Sequence, residues 1–242
     1  MNASEMRISS PETRLIADEP EILDALLPLD GATVLELGCG KAEKTRIVAQ
    51  RAAAVLALEV DEIQLAKNKA ITDLRNVRFE QGGAEKIPAP DSSFDVVLLF
   101  KSLHHVPIEQ MDNAFSEIHR VLKPGGTAYV SEPVYAGNFN EILRLFHDEQ
   151  AVREAAFAAE KRAVLSGRLA LSAQKFFQQP VRFNSFDQFE EQVINVTHTS
   201  HKLSPQKIDE IRSAFNLRMT PGGAEFLMPI RADVFSKNQP GS

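Results

Sequence analysis

The chain has 242 residues, 43% hydrophobic and 25% charged, an ordinary globular balance with enough length for one large α/β domain or two small ones. A net charge of −6 gives no overall basic field for nucleic acid, and the single cysteine, Cys39, excludes an internal disulfide and a multi-cysteine zinc site. No apolar run reaches the roughly 18 residues of a membrane span, and the opening MNASEMRISSPETR has no signal-peptide core, so a cytoplasmic protein with no membrane partner is expected.

Residues 19–28 place apolar side chains at helical spacing and end at a proline, which predicts a short helix. ATVLEL (32–37) reads as a buried strand, 42–52 as a helix and AVLALEV (54–60) as a second strand. Residues 61–74 form the next predicted helix, with Asp61 as its cap. VRFEQG (77–82) and FDVVLLF (94–100) are the third and fourth strands. A helix over 107–122 has proline near its start, KPGG stops it, and TAYVSEP (127–133) is the fifth strand. Strands alternating with helices imply a parallel sheet with right-handed crossovers. Residues 138–178 read as two or three helices, 185–193 as a short helix and INVTHTS (194–200) as a strand. A helix over 204–215 and a final strand over 224–237 complete the chain.

The sharpest local feature is VLELGCGKA (34–42), where a strand runs through Gly38 and Gly40 into a helix. Glycines there let the backbone turn tightly and approach a ligand. The loop fails the dinucleotide fingerprint, because Glu43 stands where a third glycine or alanine is needed. It fails the phosphate-loop pattern as well, because Cys39 stands where that pattern begins with glycine. Glu59 ends the second strand about twenty residues after the loop, where an acid can accept both ribose hydroxyls of an adenosine. It could equally be a polar residue at a strand end.

Over roughly residues 30–135 the chain resembles the class I S-adenosylmethionine-dependent methyltransferases of the small-molecule, type 11-like group. The resemblance rests on VLELGCG, LALEVD, FEQGGAEKIPAPDSSFDVVLLF, SLHHV and EIHRVLKPGGTAYVSEP, in that order. It implies a Rossmann-like α/β fold, with a mostly parallel seven-stranded sheet, helices on both faces and a helical insertion after the fifth strand. Residues 1–242 then form one domain: an N-terminal helical cover (1–29), a cofactor-binding core (30–135), a helical lid (136–182) and C-terminal strands and helices (183–242).

The resemblance also implies S-adenosyl-L-methionine as cofactor and S-adenosyl-L-homocysteine as product. Glu36 would orient the glycine loop and reach the methionine amino group through water. Gly38 and Gly40 would lie against the methionyl part and ribose. Glu59 would hold the ribose hydroxyls, Val60 would cover the adenine, Ala84 would offer its N–H to the ring, and the backbone near Phe100 would face the sulfonium. Two positions depart from the family. Ala42 replaces the third glycine of the loop. Gly83 stands where an acid usually accepts the adenine amino proton, which leaves Glu85, water or backbone to substitute.

Methyl transfer is an in-line displacement from a good leaving group, so orientation does most of the work and a base is needed only if the acceptor must lose a proton. His104 and His105 follow the fourth strand; either could be that base, or the pair could simply close the turn. Lys101 and Ser102 lie nearer still to the expected methyl position. Glu132 and Tyr135 end the fifth strand at the edge where open α/β sheets bind ligands, and Tyr135 could line an acceptor pocket. Arg14 could reach the methionine carboxylate. His147, His198 and His201 are scattered without HExxH-like spacing, so no metal site is expected.

In the insertion, Phe146, Phe157, Phe176 and Phe177 accompany Arg144, Arg153, Lys161, Arg162 and Arg168. They suggest a lid with its rings inward, or an aromatic and basic surface for RNA. The leading expectation is methyl transfer to a small-molecule acceptor. The alternatives are an RNA or protein methyltransferase and a catalytically inactive cofactor-binding protein. The Asn/Asp-Pro-Pro-aromatic segment of amino-group methylases is absent, since Phe100-Lys101-Ser102-Leu103 stands in its place.

Overall fold

A computed structural model describes residues 3–195 and 202–238. The core strands are β1 (Thr33–Leu37), β2 (Ala54–Glu59), β3 (Val77–Gln81), β4 (Phe94–Phe100) and β5 (Leu122–Pro133). The crossover helices between them are α2 (Glu43–Ala49), α3 (Glu62–Lys69) and α4 (Met111–Val121), while α1 (Glu19–Leu26) precedes β1. Beyond them lie α5 (Gly137–Leu143), α6 (Gln150–Leu165), β6 (Ala170–Phe183), α7 (Phe186–Phe189), α8 (Pro205–Asn216), β7 (Met219–Thr220) and β8 (Gly223–Ser236).

The sheet order is β3-β2-β1-β4-β5-β8-β6, with the two-residue β7 paired to β8 as an eighth strand. β1 to β5 pair in parallel, and β8 runs against its neighbours β5, β6 and β7. The expected mostly parallel Rossmann-like sheet is therefore present, with β7 as an addition. The strand order reverses between β1 and β4. That reversal opens a crevice at the carboxyl ends of the strands, the usual ligand position of such sheets.

Alternation along each strand sends side chains to two cores. Leu35, Leu37, Val97, Leu99 and Val130 join Phe115 and Ile118 of α4 and Ala156 and Ala159 of α6. Val34, Ala57, Val96, Leu98 and Tyr129 join Leu23 of α1, Val48 of α2 and Leu65 of α3. Helices thus cover both faces. A third cluster at the far end of β6 and β8 gathers Phe139, Phe183, Phe186, Phe189, Phe215 and Phe226.

Three elements differ from the expectation. Residues 170–183 form the long edge strand β6, so Phe176 and Phe177 sit in a strand instead of the predicted lid helices. Ala, Leu, Gln and Lys dominate that stretch and read as helix formers. An edge strand, bonded to β8 on one side, also tolerates Pro180. Ile194 ends a π-helical turn over Glu190–Ile194 instead of starting a strand, and the rest of the strand expected over 194–200 lies outside the described residues apart from Asn195. β5 begins at Leu122, which pairs with Phe94, and KPGG forms an irregularity within the strand before pairing resumes between Val96 and Thr127. On the outer side of β6, Ala17 N–H donates to Gln178 O at 3.2 Å and Gln178 N–H to Leu15 O at 2.7 Å, which ties the N-terminal segment to the sheet.

Candidate active site

β1 delivers Glu36 and then the glycine loop to the crevice. Gly38 has φ +75°, and a Cβ added there would stand 2.8 Å from Ser102 Cβ. Ser102 in turn donates its hydroxyl to Leu37 O at 2.7 Å, so the loop after β4 fixes the loop after β1. The N–H groups of Gly38 and Cys39 both donate to Leu58 O, at 2.9 and 3.0 Å. Gly40 has φ +50° with open space where a Cβ would be. Its carbonyl accepts from Asn68 Nδ2 at 2.7 Å. Ala42, in the place of the family's third glycine, adopts φ 61°.

Glu36 is 1% exposed. Its Oε2 is buried with no hydrogen-bond partner. Burial pushes its pKa up to about 8; the adjacent Thr45 hydroxyl and Lys44 oppose this, and the Glu59 and Glu19 carboxylates add to it. Nearby, buried Glu19 of α1 binds Lys101 Nζ at 2.9 Å and accepts from the Tyr129 hydroxyl at 3.3 Å. Lys101 itself holds φ 53°, a rare conformation for a residue with a side chain. Sequence reading missed Glu19 and Asn68, because neither carries a local pattern and both act through contacts distant along the chain.

Glu59 is 7% exposed at the end of β2. Its carboxylate accepts from Gly40 N–H at 2.8 Å, Val60 N–H at 2.9 Å and Asp61 N–H at 3.0 Å. It therefore joins the loops that follow β1 and β2. Val60 is 62% exposed at the rim. Ala84 is buried behind Gly83, and Asn113 Nδ2 donates to Glu85 O at 2.6 Å. A side chain on Gly83 would collide with the Glu85 carboxylate.

His104 is 5% exposed and lies between two acids. Nδ1 contacts Glu132, and Nε2 stands 3.5 Å from Glu149 Oε1. Burial favours the neutral ring, but the two carboxylates outweigh it and raise the pKa to about 9. Nδ1 is thus taken by Glu132 and Nε2 faces Glu149 across 3.5 Å, so the ring is poorly placed as a base. Its exposed neighbour His105 lies with ring centroids 4.1 Å away. Glu149 also binds Arg153 Nη2 at 2.5 Å. His147 Nε2 lies 3.0 Å from Glu149 Oε1. No local pattern points to Glu149, which reaches His104 only through the fold.

Half-buried Tyr135 lines a cavity of about 570 Å³ together with Arg14, Ile16, Phe176, Phe177 and Pro229. Arg14 bonds Pro11 O and Thr13 O at 3.0 and 3.2 Å within that wall. A cavity of about 480 Å³ lies at the amino edge of the sheet, beside Thr33, Ala54 and Val77, and no predicted site residue lines it. The aromatic and basic residues of 138–178 do not gather on one surface. Phe177 is fully buried under the sheet, Arg153 is buried, and Arg162 pairs with Asp112. His198 and His201 lie outside the described residues.

Residues 35–130 match the family model described as methyltransferase domain. This segment is similar to methyltransferase domains. It is 38% identical over 109 residues to a sterol 24-C-methyltransferase of Gibberella zeae, a match covering 42% of this chain and 28% of that protein. It is 34% identical over 116 residues to a ubiquinone biosynthesis O-methyltransferase of Pseudomonas paraeruginosa, covering 45% and 47%. The chain thus spans less than half the length of these curated relatives. The crystal structure of YcgJ from Bacillus subtilis shares the fold with a TM-score of 0.57 at 20% identity, covering 91% of this chain and 98% of that one.

The cofactor of such domains is S-adenosyl-L-methionine, and the residues here fit it. The partnerless Glu36 oxygen calls for a donor, which an ammonium supplies. The open space at Gly40 leaves room for a ligand against the loop. Among the described residues no helix is long and apolar enough to cross a membrane.

Proposed function

We propose that the chain transfers a methyl group from S-adenosyl-L-methionine to a small, largely apolar acceptor. The observation that carries this reading is the buried Glu36 carboxyl, one oxygen without a partner, beside a glycine loop that Glu59 and Ser102 hold in place. Glu36 takes the methionyl ammonium, and Gly38 and Gly40 lie against the methionyl part and ribose. Glu59 offers a ribose hydroxyl roughly the one lone-pair direction that its three backbone bonds leave open. Val60 covers one adenine face, and the backbone of Ala84 meets the ring edge. The bound cofactor supplies a methyl group on a sulfonium.

Everything else is positioning. The strained turn at Lys101 carries the backbone after Phe100 to the mouth of the crevice, and Glu19 holds its side chain. Holding two reactants in line is worth roughly 7–11 kcal/mol of barrier. The cavity beside Tyr135, Phe176 and Arg14 opens at the end of β5 and supports an apolar acceptor, with Arg14 available to an acidic group. The sterol and ubiquinone names of two relatives support acceptors of that character. His105, exposed beside His104, is the remaining candidate base for an acceptor that must lose a proton.

Labelled methyl donor incubated with fractionated small-molecule extract tests the reading. Label passing into an organic-soluble fraction, and lost on Tyr135→Ala, is expected. Label passing only into RNA or protein would overturn the small-molecule assignment.

A further inference from the structure

We propose that His104, His105 and Glu149 form a binding site for a borderline divalent cation, of which Zn²⁺ is the best match. One ligand atom from each of the three lies within 4.8 Å of the other two. The 3.5 Å between His104 Nε2 and Glu149 Oε1 exceeds the roughly 2.7–3.2 Å of an ordinary N–H···O bond. It is close to the edge of a tetrahedron around a metal ion, about 3.4 Å for ligand bonds of about 2.0–2.2 Å. Two imidazoles and a carboxylate suit Zn²⁺, Co²⁺, Fe²⁺ or Mn²⁺ better than Mg²⁺ or Ca²⁺, which prefer all-oxygen sets.

The surroundings are those of a built metal centre. Glu132 holds His104 Nδ1, so Nε2 is the nitrogen aimed at Glu149. The carboxylate–histidine pairing fixes ring orientation and strengthens the ligand. Arg153 Nη2 holds the other oxygen of Glu149 at 2.5 Å, and Leu103 N–H donates to Glu132 at 2.9 Å. Each of these supports comes from a different element: β5, α6 and the turn after β4. His147 Nε2 bonds Glu149 Oε1 at 3.0 Å and so helps to orient that carboxylate.

The centre sits on the turn after β4, beside the crevice, and Tyr135 of the acceptor cavity faces Asp148, the residue before Glu149. An ion bound here takes the His105 lone pair, so metal binding and the base role of His105 are alternatives. The binding site does not depend on the methyltransferase reading.

Equilibrium dialysis of chelator-treated protein against Zn²⁺, and titration with Co²⁺ followed by its visible ligand-field absorption, test the site without cofactor or acceptor. One tightly held ion per chain is expected, with affinity falling roughly tenfold or more in His105→Ala and Glu149→Gln. His105 is exposed, so its variant folds even if the Glu149 variant does not. Sub-stoichiometric binding, or unchanged affinity in His105→Ala, overturns the proposal. Either result leaves cofactor binding, measured separately, untouched.

Discussion

The Glu85 carboxylate occupies the space that a side chain on Gly83 would need. One residue lacks an acid, and the residue two positions later folds its own acid into the gap. We propose that this pair replaces the acid that similar domains carry at position 83, with Glu85 accepting the adenine amino proton; Asn113 holds the Glu85 backbone. Glu85→Ala is expected to weaken S-adenosyl-L-homocysteine binding by roughly 10- to 100-fold, the worth of a hydrogen bond to a charged group. Gly83→Asp combined with Glu85→Ala should recover most of it. Calorimetric titration reads both, and an unchanged affinity in Glu85→Ala would remove Glu85 from the site.

Glu36 predicts a pH dependence of stability. Its folded pKa is raised from the ordinary 4.5 to about 8 by burial. The folded state therefore keeps a proton that the unfolded chain releases near 4.5. The stability this contributes is complete below that pH and is lost as pH rises through about 8, a change of a few kcal/mol. Denaturant unfolding across that window should show the fall in wild type. In Glu36→Gln, which cannot ionise, the curve should flatten. An unchanged slope would mean that the carboxyl titrates normally.

The glycine loop separates two costs. Gly38→Ala meets both a left-handed backbone and Ser102 Cβ at 2.8 Å, whereas Gly40→Ala meets the backbone cost alone. The backbone cost is about 1–2 kcal/mol at either site. Gly38→Ala should therefore lower Tm more than Gly40→Ala. Adding Ser102→Gly should relieve part of the Gly38→Ala penalty in a double-mutant cycle. Equal losses at the two glycines would contradict the packing of the β4 turn on the loop.

The core from Thr33 to Pro133 was legible because its strands are short, apolar and bounded by turn residues, and its site residues cluster at strand ends. Glu36 and the glycines lie at the end of β1 and in the loop after it, and Glu59 ends β2. Beyond Pro133 the signal weakens for identifiable reasons. β6 is an edge strand whose Gln, Lys and Ala content mimics a helix, and its pairing with β8 spans more than forty residues of chain. Glu19 and Glu149 owe their positions to contacts across the fold: Glu19 with Lys101, and Glu149 with His104. Glu149 meets His104 only because the start of α6 docks against the turn after β4.

The most direct test of the central claim is the thermal shift induced by S-adenosyl-L-homocysteine in wild type, Glu36→Gln and Glu59→Ala. Glu59→Ala also loses three backbone partners, so the quantity compared is the ligand-induced shift of each variant, not its Tm. At about 100 times the dissociation constant, wild type should gain roughly 2.7 kcal/mol. Both variants should gain much less. No shift in folded wild type at millimolar ligand would contradict the account of this crevice as a methyl-donor site.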